Sequence, residues 1–85
     1  MKDTQESIAQ WCRSYLADIL GTSPEKVSPD ASFDRLGIDS AIAVSLLIEV
    51  EGRYGVDLPP EALFDNPTIN AVAAYLHPRV ESGAA

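Results

Sequence analysis

Apolar residues recur along this chain with the period of a helix, and no run shows the alternation of a strand. Ile8, Cys12, Tyr15, Leu16 and Ile19 fall at spacings of four, three, one and three, which is one helix face. Asp3 followed by Glu6 reads as an acidic capping box ahead of them, and Gly21 as a left-handed stop behind them. From Thr22 to Asp39 the periodicity lapses. Two Ser-Pro pairs, at 23–24 and 28–29, and the isolated apolar residues Val27, Phe33 and Leu36 predict a long loop pinned to a core. A second helix is expected from Ser40 to Tyr54, with Gly55 as its stop. The prolines of "VDLPP" demand an extended link, and "PEALFD" suits one short helical turn starting at Pro60. Thr68 caps a last helix carrying Ile69, Val72, Ala73 and Leu76 on one face, and Pro78 is expected to close it. The pattern predicts an all-α fold: a small four-helix bundle of three principal helices and one short helix, with a long loop between the first and second helices.

The second helix is more apolar than one buried face requires. At about 100° per residue, Ala43, Leu46, Leu47, Val50 and Tyr54 form one stripe, whose bulk assigns it to the core. Ala41, Val44 and Ile48 form another on the opposite side, with Ser40 at its top. Ile42 falls at the core edge. Neighbouring helices cover only one side of such a helix, so the second stripe reads as a docking surface.

Composition narrows what such a bundle does. Eighty-five residues make one small domain. That supports a single core and leaves little room for an enclosed catalytic cavity. With 46% hydrophobic residues the chain is globular rather than disordered. Thirteen carboxylates against six Lys and Arg give a net charge of −7, which opposes nucleic acid and anionic membranes and favours basic protein partners. The single cysteine excludes an internal disulfide and suits a reducing cytoplasm. "MKDTQESIAQ" lacks a signal-peptide core, and no apolar run is long enough to span a membrane.

Most catalytic chemistries then fail on residue type. His77 is the only histidine and Cys12 the only cysteine, so the usual zinc sets cannot form; no metal site is expected. Cys12 lies on the apolar face of the first helix and reads as a core thiol. The loop "DASFDRLGIDSA" offers Asp30, Ser32 and Asp34 to calcium, but Arg35 stands where glycine is needed and Ala41 where the bidentate glutamate belongs. Ser40 lacks the strand-borne elbow of a serine hydrolase. Glu49 and Glu51 lie on different helix faces. Ser40 is the better candidate, because the first turn of a helix favours a phosphate through free N–H groups and the helix dipole. A serine there is often only the cap. Here Asp39 can cap equally well, which leaves the hydroxyl free for an ester.

"FDRLGIDSAIAVSLLIEVEGRYGVDLPPEALFDNPTINAVAAYL" resembles the acyl carrier protein family, a likeness that extends from Ile8 to Leu76. The family's attachment pattern, Asp-Ser after a Leu-Gly-x turn, stands as Leu36-Gly37-Ile38-Asp39-Ser40. Its Phe-x-x-Pro-Thr element stands as Phe64-Asp65-Asn66-Pro67-Thr68. The resemblance implies that a phosphopantetheinyl transferase attaches 4′-phosphopantetheine from coenzyme A to Ser40, with Asp39 as part of the attachment motif. The distal thiol of that arm would carry acyl intermediates as thioesters, and the protein would have no catalytic activity of its own. Asp39 before the serine and the "FDNPT" element look more like polyketide synthase carriers than peptidyl or aminoacyl carriers of nonribosomal synthesis, which more often have Gly-Gly-His/Asp-Ser. Two positions depart from the family: Ala41 stands where Leu or Met is usual, and Ser45 where glutamate is common.

Ala41, Val44, Ser45, Ile48 and Glu51 are accordingly expected to face partners, namely the transferase and a ketosynthase, acyltransferase or other acyl-processing enzyme. A monomeric, cytoplasmic protein is expected, with residues 1–78 as the carrier domain and 79–85, small and polar, as a flexible tail or linker stub. The alternatives are a peptidyl carrier and an unmodified helical interaction module that keeps the fold without the arm.

Overall fold

The computed structural model describes residues 4–59 and 61–83. It contains α1 (Gln5–Leu20), a short 3-10 helix (Pro24–Lys26), α2 (Ser40–Tyr54), α3 (Glu61–Asp65) and α4 (Ile69–Gly83). Among the described residues the only β-type pairing is an isolated antiparallel bridge between Ser32 and Thr68. The expected four-helix pattern is the observed one.

The cap of α1 lies one residue beyond the expected place. Asp3 falls outside the described residues, and the observed capping box joins Thr4 and Ser7. The Ser7 N–H donates to Thr4 Oγ1 at 3.0 Å and the Thr4 N–H donates to Ser7 Oγ at 2.9 Å. Two hydroxyls thus satisfy each other's backbone donors. At the other end Gly21 takes φ 71°, and the Thr22 N–H reaches back to the Ala17 carbonyl at 2.9 Å. Only a residue without Cβ adopts that turn cheaply. Ile8, Cys12 and Leu16 are fully buried, flanked by Ala9 and Ala17, and α1 packs most extensively on α4. Ile19, expected on this face, is 43% exposed, while Ala9 and Ala17 are buried.

The loop between α1 and α2 is pinned as its apolar residues require. Val27 and Phe33 are buried, Leu36 packs against the core, and Ile38 is a further buried anchor. Backbone bonds tie the loop to the start of α4: the Phe33 N–H donates to the Pro67 carbonyl at 2.8 Å, and the Asn70 N–H to the Pro29 carbonyl at 3.0 Å. The Asn70 side-chain amide adds a bond to Asp30 Oδ1 at 2.6 Å.

The link after α2 is fixed by Glu51, whose Oε2 accepts the Leu58 N–H at 2.9 Å, while Val56 and Leu58 enter the core. Thr68 caps α4 by accepting the Ala71 N–H at 3.0 Å. Ile69, Val72, Ala73 and Leu76 are buried as expected. Pro78 does not close this helix, contrary to expectation; α4 runs through it to Gly83. Val80, one turn beyond Leu76, is buried and holds the continuation against the core. Beside the proline, the Arg79 guanidinium donates to the Tyr75 carbonyl at 2.7 Å and lies 3.6 Å from the centre of the Tyr75 ring.

Candidate functional site

The start of α2 is built by three consecutive residues with separate tasks. Ile38 is buried and anchors the chain after the Gly37 turn, where φ is 79°. Asp39 is the extended N-cap: its Oδ1 accepts the Ile42 N–H at 3.0 Å and its carbonyl accepts the Ala43 N–H at 2.9 Å. Ser40, the first helical residue, is exposed, and its hydroxyl makes no hydrogen bond among the described residues.

A primary alcohol placed there has limited chemistry of its own. No base is bonded to it, so it is not activated for attack from within the chain. It is accessible, and the cap is supplied by its neighbour. The amides of Ser40 and Ala41, at the mouth of the helix, have no carbonyl partner among the described residues. An anionic ester on the hydroxyl would therefore sit at the positive end of α2. The site has room and favourable electrostatics for a phosphodiester on the Ser40 hydroxyl.

The other candidate nucleophile is closed off. Cys12 is fully buried, and desolvation pushes its thiol up to about 12. Among the described residues no cluster of His, Cys, Asp and Glu suits a metal ion.

Around Ser40 the two stripes of α2 separate as their spacing requires. Leu46, Leu47 and Val50 are buried, with Ala43, Tyr54 and Ile42 half-buried against the core. Ala41 is exposed, as are Val44 at 47% and Ile48 at 57%. Ser45 and Glu51 are turned to internal work instead. Ser45 Oγ lies 3.1 Å from the Tyr15 hydroxyl, which pins α2 to α1, and Glu51 holds the link to α3.

Periodicity does not reveal the cleft beside Ser40. It has a volume of about 370 Å³, with Asp39, Ser40, Val44 and Leu47 on one side and Leu63 and Phe64 on the other. Phe64 is 75% exposed. A five-residue helix buries little, and Ala62 with Leu63 already fills its inner side. That shortness was the available signal.

A family model described as "Phosphopantetheine attachment site" matches residues 10–76. The meromycolate extension acyl carrier protein of Mycolicibacterium smegmatis is 36% identical over 77 residues, covering 89% of this chain and 78% of that protein. The phenolphthiocerol synthesis polyketide synthase type I of Mycobacterium marinum is 44% identical over 61 residues, covering 71% of this chain. The chain spans only 3–4% of the length of the first matched synthases. The crystal structure of a free-standing peptidyl carrier protein from an Acinetobacter baumannii secondary metabolic pathway superposes with a TM-score of 0.85 at 32% identity, covering 91% of this chain and 96% of that one.

Proposed function

The chain belongs to the phosphopantetheine attachment-site family of carrier proteins, and we propose from that premise that Ser40 is the residue its prosthetic group esterifies. One observation carries the reading: an exposed, unbonded hydroxyl on the first turn of α2, beside an aspartate that already caps the helix. The family's cofactor is 4′-phosphopantetheine. In the loading step, Ser40 Oγ forms a bond to the β-phosphorus of coenzyme A. The bond from that phosphorus to the bridging oxygen breaks, and 3′,5′-adenosine diphosphate leaves. The hydroxyl proton passes to a base of the phosphopantetheinyl transferase, since among the described residues no base is bonded to Ser40. When bound, the arm supplies a terminal thiol that holds acyl groups as thioesters.

The chain's own residues provide presentation. Asp39 fixes the first turn, Ile38 holds the loop down, and the stripe of Ala41, Val44 and Ile48 offers an apolar docking face below the arm. Ser45 and Glu51 border that face and support it from within. The cargo we favour is a polyketide intermediate, on the strength of the similarity to polyketide synthases. The peptidyl carrier likeness makes an aminoacyl cargo the second reading. The partners that follow are the transferase and a ketosynthase, acyltransferase or other acyl-processing enzyme. We read the protein as a cytoplasmic monomer, which suits its one buried thiol and its net charge of −7.

Incubation with coenzyme A and a broad-specificity transferase, followed by intact mass, tests the assignment. The parent should gain one phosphopantetheine and Ser40→Ala none. A Ser40→Ala protein that gains the arm overturns it.

A further inference from the structure

The structure assigns Tyr15, on α1, a positioning role in the reaction at Ser40: through its hydrogen bond to Ser45 it fixes the roll of α2 about its own axis. This rests on the assignment of Ser40 as the loaded residue.

Apolar packing holds the head of α2 only loosely. None of residues 40–45 is buried, and the buried positions of the helix begin at Leu46. Apolar contact has no direction, so Leu46, Leu47 and Val50 press α2 against the core without setting its rotation. The hydroxyls of Tyr15 and Ser45, 3.1 Å apart, share a directional bond between α1 and the second turn of α2. Asp39 cannot supply this restraint, because its bonds to Ile42 and Ala43 lie within the helix.

Tyr15 is itself held in place. Its ring stacks on Trp11 with centroids 5.5 Å apart and 14° between the planes, and Trp11 meets Tyr54 edge-on at 6.0 Å. The Arg53 guanidinium lies 5.3 Å from the centre of the Trp11 ring and 5.6 Å from that of Tyr54. α1 thus touches α2 at its second turn and at its last, roughly 13 Å apart along the axis. With the core against another side, these two points leave α2 little freedom to roll or tilt.

Roll matters because α2 is smaller than a partner's footprint. Its 15 residues make a rod about 22 Å long and about 10 Å wide. A specific interface covers about 800 Å² on each partner, several times the face of that rod. An enzyme acting on Ser40 therefore also seats on neighbouring elements, and the hydroxyl must keep a set place relative to them. At about 5 Å from the axis, a roll of about 10° moves Ser40 Oγ by about 0.9 Å. Misplacement of about 1 Å can slow a reaction about 100-fold. The Tyr15–Ser45 bond accordingly acts on turnover rather than on affinity.

The test is steady-state loading of the purified chain with coenzyme A and a broad-specificity transferase, with urea unfolding beside it to show that each variant is folded. Tyr15→Phe keeps the ring and its stack on Trp11, the single tryptophan, whose emission should stay that of the parent. Tyr15→Phe and Ser45→Ala should each lower kcat about fivefold and change KM for the carrier by less than about twofold. The double variant should be no slower than either single one, since both remove the same bond. Ser45→Thr, which returns a hydroxyl, should recover most of the rate. Folded variants that keep the parent's kcat would reduce the bond to a matter of stability and overturn the inference. A rise in KM without a fall in kcat overturns it too, as does a double variant in which the two losses multiply. A parent that gains no arm overturns the assignment of Ser40 together with it.

Discussion

Asp39 and Ser40 divide two tasks that a single serine often combines, closing a helix and presenting a hydroxyl. Asp39 carries the structural one through its bonds to Ile42 and Ala43. Ser40→Ala should therefore unfold in urea within about 0.5 kcal/mol of the parent, as exposed substitutions generally do. Asp39→Ala, which strips the cap, should cost about 0.5–2 kcal/mol in the same measurement. The opposite ranking would place the cap on the serine. Cys12 gives a pH signature. Burial pushes its thiol up to about 12 from the ordinary 9.0, so the folded chain keeps the proton over a range where the unfolded chain loses it. The resulting stability is fully present below pH 9.0 and is lost as pH rises toward 12. Urea titrations above pH 9.0 should show the parent losing stability more steeply than Cys12→Ala. The native thiol should also resist alkylating reagents until the chain unfolds.

At the scale of the element, α2 sorts its apolar residues into structural and exposed sets. Ile48→Glu should retain a cooperative thermal transition close to the parent's and slow acyl transfer by a partner enzyme. Leu47→Ala, one position away but buried, should cost about 2–5 kcal/mol of stability. Unfolding by Ile48→Glu would exchange the two stripes. This separation, and the bounds of α2 from Ser40 to Tyr54, were legible because a 15-residue amphipathic helix averages over many positions. Shorter and more local features were not. Pro78 reads as a stop because an interior proline removes one helix bond and crowds a carbonyl. The burial of Val80 and the Arg79–Tyr75 contact, which offset that cost, depend on where α4 packs. Ser45 and Glu51 lie at exposed-looking positions, yet their partners Tyr15 and Leu58 come from other elements. Spacing within one helix carries no record of those.

The molecule as a whole is small and strongly acidic, with extents of 35 × 26 × 19 Å and a net charge of −7. One interface of ordinary size occupies much of a face on such a body, so two partners that dock over α2 would have to take turns. Attraction between its charge and a basic partner hastens each encounter, and salt screens it over a Debye length of about 8 Å at physiological ionic strength. The apparent affinity of the transferase should accordingly fall as salt is raised, measured as KM for the carrier. An affinity indifferent to salt would assign recognition to apolar contact alone. A tethered arm suits this traffic, because each docked partner meets the cargo at high effective concentration.

The bonds that join the loop to the head of α4 cross a long stretch of sequence. Asn70 and Asp30 stand 40 residues apart in the chain, and Ser40 lies between them. A growing polypeptide leaves the ribosome N-terminal end first. Ser40 thus emerges well before Asn70 and Thr68, the residues that complete its platform. If Ser40 carries the arm, a chain truncated before α4 should be loaded far more slowly than the parent, because it lacks the partners of Phe33 and Asp30.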